Sequence, residues 1–347
     1  MLDAGSSFRT QEDRMPTTET SWSPPRAVEP IHPISFPPTP WIDVFNASEV
    51  VALADSRFLF CDNNVTDSLV EMVFGPDGTL AEPLIRRPIQ GLPEGGVDDM
   101  ECMALVEHEN GRTIFASPSL SNKIRKGFET APERRDRAKP APARAGLLRI
   151  DVHEDDSLHA ELIPDFRDWF VANSPKIGES AEWTPDDSGL NVEGLSWDPT
   201  SNALIFGIRT PVPHGHPMLV RVKIKDLAAP WKLENLKMLD PVQLKVDVTG
   251  DEMGVRSIEY DPTREASLVV LANSTSESDA PFLMFLWDGN DKGKMHQFED
   301  IWFTEKMRVE GVAPGTVDGR RVIVFVDDRG GYQIIWNEDP RLEKQSK

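Results

Sequence analysis

The chain lacks most of the features that announce chemistry. It has only two cysteines, Cys61 and Cys102. Neither belongs to a CxxC pair and both fall in predicted strands. That argues against a metal ribbon or thiol redox work and reads as two buried free thiols, a single disulfide between them being the alternative. No apolar run approaches the length of a transmembrane helix, and residues 1–24 hold no apolar secretory segment, so a cytoplasmic protein is expected. Positive charge is scarce: 37 Lys and Arg against 58 Asp and Glu leave a net charge of −21. This excess of acid argues against nucleic acid and against an anionic membrane surface as partners, leaving a small molecule or a protein. The signatures GxSxG, HExxH, the P-loop and a GxGxxG between strand and helix are all absent.

What the chain does have is a repeated pattern. Residues 189–209 read GLNVEGLSWDPTSNALIFGIR: apolar and polar residues alternate to Trp197, a turn follows at Asp198-Pro199, and an apolar run ends at Arg209. Period-two alternation, a turn and a β-branched run predict a β-hairpin. Pieces of this stretch recur. With Glu193 laid over Arg256, Trp197 falls on Tyr260, Asp198 on Asp261 and Pro199 on Pro262. With Glu193 over Glu310, Gly194 falls on Gly311, whereas over Glu101 the glycine becomes Cys102. Residues 48–89 hold four further short strand patterns with turns between them, including Gly75-Pro76-Asp77-Gly78. Sets of short strands restarting in this way predict an all-β fold, a β-propeller. Five blades are favoured, with six if 150–188 hides another.

Residues 1–24 are predicted to be a disordered tail, and 25–347 a single propeller domain. The last copy is one strand short, and the proline-dense segment before residue 40 can supply an edge strand there. This pairing of N- and C-terminal strands would close the ring and remove an exposed edge. Residues 123–145, KIRKGFETAPERRDRAKPAPARA, form a basic insertion expected to be a mobile surface loop.

The combination of EGLSWDP with FGIRTPV (193–199 and 206–212), GVRSIEYDP with FLMFLWDG (254–262 and 282–289) and RVEGVAP (308–314) resembles an uncharacterised bacterial β-propeller family, a domain of unknown function. That family is loosely related to esterase-like phytase and calcium-dependent lactonase propellers. The resemblance covers roughly residues 48–340 and implies inner strands that begin at the Glu-Gly positions.

Propeller ligands gather at a mouth of the central channel, where inner strands begin or end. Glu101, Glu193, Arg256 and Glu310 occupy equivalent positions there. Carboxylates from several strands suit calcium or another divalent cation, and the resemblance to the lactonases implies the same use for a glutamate in this setting. Glu193, Glu310, Glu101 and Asp327 are therefore candidate metal ligands. Arg209, Arg256, Asn273, Asp62 and Asn63, at or near strand ends, are candidates for substrate binding. Two functions follow. One is a divalent-cation-dependent hydrolase of an ester, lactone or phosphoester; the other is a non-enzymatic propeller binding a protein partner or small ligand. The simpler reading of each Glu-Gly pair is a tight strand entry whose carboxylate accepts backbone N–H groups.

Overall fold

The computed structural model describes residues 29–343, apart from 82, 110, 247–251 and 276–280. The tail predicted for 1–24 lies outside the described residues. The fold is all-β and propeller-like. Its strands form successive antiparallel units, each built in chain order from the inside outward. The first unit comprises Ala47–Ala54, Arg57–Asp62, Ser68–Val73 and Ile85–Gln90. The second runs through Met100–His108, Gly111–Pro118, Leu147–Val152 and Leu158–Ile163. Their outermost strands meet in a short parallel pairing, Leu158 with Ile89 and His159 with Gln90, which joins both units into one eight-stranded sheet.

The opening repeat forms the third unit as the predicted hairpin, Asn191–Asp198 with Ala203–Thr210, followed by Met218–Ile224 and Leu236–Met238. Met253–Asp261, Ala266–Asn273, Leu283–Trp287 and His296–Trp302 make the fourth. Val309–Val317, Arg320–Asp327 and Gly331–Trp336 follow, and Ile34–Ser35 lies against the last of these, with Ile34 opposite Tyr332. The tight turn at Asp318-Gly319 has positive φ at both residues, 51° and 71°, as a two-residue hairpin with right-twisted arms requires. Residues 164–190 carry the helix Phe166–Ala172 and short turns of 3-10 helix, with no strand. Among the described residues no helix is long and apolar enough to cross a membrane.

Apolar clusters fill the space between successive sheets, including one between the last and the first, where Val50, Phe58 and Phe60 meet Val322, Val324 and Tyr332. The largest lies between the second and third units, where Phe166 and Phe170 of the helix pack on Phe206 at ring distances of 5.4 and 5.2 Å. Burying each such ring contributes about 1.5–3 kcal/mol. Cys61 and Cys102 are both buried and unpaired.

The insertion differs from the expected mobile loop. Lys123–Ile124 pairs with Ala138–Lys139 as a small hairpin. Its basic residues face acids already on the body: Arg144 to Asp98 at 2.8 Å and Asp99 at 2.7 Å, and Arg137 to Asp187 at 2.8 Å. Arg134 stacks over Trp183 at 4.9 Å. The positive charge that marked this segment in the sequence is what ties it down.

Candidate functional site

Regular pairing sends successive side chains of an inner strand toward the two neighbouring sheets and none toward the axis. Every inner strand breaks that alternation near its start, and two of them slip a second time, between Ala52 and Ala54 and between Asn191 and Val192. Pairing slips between Ala47 and Val50, Met100 and Cys102, Val192 and Gly194, Val255 and Ser257, and Val309 and Gly311. In the first strand Glu49 still faces Cys61, donating its N–H to Sγ at 3.4 Å, so the extra residue is Ser48. The extra residues are thus Ser48, Glu101, Glu193, Arg256 and Glu310. A bulge re-aims the side chain it carries. Here the five side chains belong to one axial cluster.

Arg256 lies at its centre. Its Nη1 is 3.0 Å from Glu193 Oε2, its Nη2 donates to Glu310 Oε1, and its guanidinium stands 5.7 Å from the centre of the Phe282 ring. The other oxygen of Glu193 accepts from Arg209 Nη1 at 2.6 Å and from Asn191 Nδ2 at 2.8 Å. Glu101 accepts from Asn63 Nδ2 at 3.0 Å, and Asn63 Oδ1 accepts from Ser48 at 3.0 Å. Glu193, Arg256 and Glu310 are buried, and Glu101 is partly so.

One layer below, Glu49 is fully buried. Its Oε1 accepts from Ser257 Oγ at 2.9 Å and from the Val312 N–H at 3.2 Å. Gly311 makes room for it, since a Cβ there would stand 2.8 Å from Ser48 O and 2.9 Å from Glu49 Cα.

Burial sets the proton affinities. It pushes Glu310 up to about 8, against the pull of the neighbouring Arg256. It raises Glu101 well above the usual carboxylate range, helped by Asp99, Glu193 and Glu310, and raises Glu49 likewise, helped by Glu259. Burial alone would lower the Arg256 guanidinium, but Glu193, Glu310 and Glu101 hold it above its ordinary value.

The candidates from the sequence divide. Glu101, Glu193, Glu310, Arg209, Arg256 and Asn63 come together in this cluster. Asp327 has its two oxygens on the backbone N–H groups of Arg308 and Arg329, both at 2.7 Å. Asp62 is held the same way by Asn46 and Asn64 at 2.7 and 2.8 Å, and burial pushes both aspartates up to about 6. Asn273 accepts from Thr275 within its own turn. The register explains the division. The residues in step with Arg209 on the second strands are Asn63, Ser119, Ala272 and Asp328, whereas Asp62, Ser117, Asn273 and Asp327 stand one or two residues away. Glu49, Asn191, Ser257 and Asp99 escaped the sequence reading. Laying Ala47-Ser48-Glu49-Val50 over Val192-Glu193-Gly194-Leu195 is the comparison that finds the first of them.

Four polar atoms in the cluster have no hydrogen-bond partner although buried: Asn191 Oδ1, Arg256 Nε, Asp328 Oδ1 and Glu193 Oε2, the last held by its ion pair with Arg256 alone. Buried orphans cost stability, and a cluster of them points to a group that completes them. A divalent cation does not fit that role. It needs six or more oxygen ligands, whereas here nitrogen donors already hold Glu193 and Glu310 and a guanidinium lies between them. Among the described residues, no group of three or more His, Cys, Asp or Glu side chains is arranged to hold a metal ion.

The family model described as "Protein of unknown function (DUF3616)" matches residues 86–311. No curated protein matches the sequence. Among solved structures, the major Malassezia sympodialis allergen Mala s 1 is similar at 13% identity, covering 85% of this chain and 95% of that one, with a TM-score of 0.46. A protein of unknown function from Dyadobacter fermentans is 12% identical, covering 91% and 85%, with a TM-score of 0.43. The periplasmic gluconolactonase PpgL of Pseudomonas aeruginosa is 12% identical, covering 85% and 82%, with a TM-score of 0.42. Likeness at this level assigns no activity to the chain.

Proposed function

The chain belongs to the DUF3616 family, and from that premise we propose a five-bladed propeller, closed by its N- and C-terminal strands, that binds a small polar molecule at the axial cluster. The blade count rests on five inner strands, each with a bulge at the equivalent position near its start, and the closure on the pairing of Ile34 with Tyr332. The single observation that carries the binding reading is the convergence of the unpartnered Asn191 Oδ1, Asp328 Oδ1 and Arg256 Nε beside Glu101, Glu193 and Glu310. With Glu193 Oε2, three of the four unpartnered atoms are acceptors amid an excess of acid, so the fitting ligand brings O–H or N–H groups: a polyol, a hydroxylated lactone or an amine.

As an enzyme, such a site favours a neutral ester or lactone over a phosphoester. Arg209 and Arg256 are already paired with Glu193 and Glu310, and this pairing disfavours a phosphate in the cluster. Glu310, whose proton affinity burial raises while Arg256 holds its Oε1, is the candidate acid–base group. The unpaired thiols of Cys61 and Cys102 support a reducing, cytoplasmic compartment. A second reading, a scaffold for a protein partner, is favoured by Ile124 and Phe128, which the insertion hairpin leaves 41% and 43% exposed.

The test is thermal unfolding against a panel of polyols, hydroxylated lactones and amines, with lactone and aryl-ester hydrolysis followed in parallel. A rise in midpoint for wild type, lost in Asn191→Leu, supports the site. If no compound shifts wild type, or if the shift survives Asn191→Leu, the axial reading fails and the hairpin becomes the place to look.

A further inference from the structure

The resemblance to calcium-dependent propellers implies a cation where the inner strands converge. The residues there disagree. Of the five bulge positions, three carry a carboxylate and one, Arg256, carries the opposite charge. Its guanidinium reaches a carboxylate of the unit on either side, Glu193 at 3.0 Å and Glu310 through Nη2, and faces Phe282. Glu193 is further tied to Arg209 and Asn191. A dication entering this space would meet a buried positive charge within contact distance and would find one oxygen each of Glu101, Glu193 and Glu310 already engaged by N–H groups.

We infer that Arg256 serves as a built-in counter-cation, so that the axial centre works without a divalent metal and is kept closed to one by this side chain. The chain carries on a bulge position what a metal-dependent site takes from solution. Two consequences follow. Wild type is indifferent to calcium, magnesium and chelator. Removing the guanidinium while keeping Glu101, Glu193 and Glu310 turns the same carboxylates into a cation seat, because Glu310 and Glu193 Oε2 then lose their buried counter-charge.

The experiment compares wild type, Arg256→Gln and Arg256→Lys in thermal unfolding with EDTA, with calcium chloride and with magnesium chloride, and measures calcium binding by calorimetry. Wild type and Arg256→Lys should show no shift among the three buffers and no binding heat. Arg256→Gln should unfold earlier than wild type in EDTA and regain about 5 °C at a hundredfold excess of calcium over Kd. A calcium-dependent rise in wild type overturns the inference outright, whatever the variants do. Arg256→Gln that folds without a calcium response, or fails to fold with calcium present, overturns the claim that Arg256 fills a cation seat. The polyol and lactone panel is scored separately, so metal indifference can stand while ligand binding fails, and the reverse.

Discussion

Glu49 Oε1 lies 2.9 Å from Ser257 Oγ, although the two residues are 208 apart in the chain and belong to the first and fourth units. The contact crosses the axis beneath Arg256, and the Val312 N–H of the last unit donates to both partners, at 3.2 and 3.0 Å. Three units are thus joined through one fully buried carboxyl group.

That carboxyl makes stability depend on pH. Burial holds Glu49 well above its unfolded value of 4.5, with Glu259 acting in the same direction. A group whose folded proton affinity is raised stabilises fully below its unfolded value, and the contribution is lost as pH rises through the folded one. Wild type should therefore lose stability from about pH 4.5 upward. Glu49→Gln, of the same shape and without charge, should match wild type at pH 4.5 and unfold a few degrees later at pH 8. Equal midpoints at both pH values would show that Glu49 does not carry this dependence.

Gly311→Ala should destabilise by about 1–3 kcal/mol, since the added methyl meets the backbone of Ser48 and Glu49, which cannot move aside as a flexible side chain does. Gly319→Ala, with open space around the would-be methyl, tests backbone conformation alone, at a φ of 71°. Urea midpoints separate the two, and a Gly311→Ala protein as stable as wild type would remove the close approach from the account.

Arg144→Gln should free the insertion without unfolding the body. Its guanidinium bridges Asp98 and Asp99 and reaches Ser121 Oγ at 3.1 Å. Limited trypsin digestion should then cleave faster between residues 123 and 139, with a thermal midpoint within a few degrees of wild type. Unchanged cleavage would mean that Arg137 and Arg134 suffice to hold the hairpin.

Truncation of residues 1–36 should cost several kcal/mol and promote association. It removes Ile31 and Phe36, both buried, each worth about 1.5–3 kcal/mol. It also uncovers the Gly331–Trp336 edge against which Ile34 and Ser35 pair. Light scattering together with the unfolding midpoint reads both effects. A truncated chain as stable and as monomeric as the full one would deny the segment any part in the closure.

The strand framework was legible because period-two alternation and turn residues are local. The hairpin 191–210 and the edge strand before residue 40 could both be read that way. The site was legible only in its first ring. Glu101, Glu193, Arg256 and Glu310 follow from aligning copies of one motif, but the copy at Ser48-Glu49 lacks both the glutamate and the glycine in their places. The second ring depends on where each hairpin slips, and a slip of one or two residues exchanges Asn273 for Ala272 and Ser117 for Ser119. Nor does composition tell a basic segment that is free from one that has acids waiting for it, as Arg144 has in Asp98 and Asp99.

The extra residue in each inner strand stands outside both packed faces. Phe206 or Val324 cannot change without disturbing a neighbouring sheet, whereas a side chain on a bulge answers to the axial cluster and the few polar groups around it. The fold therefore keeps its scaffold and its chemistry on different residues of the same strand, and Ser48, the smallest of the five, joins the axial chemistry through Asn63 rather than through a charge of its own.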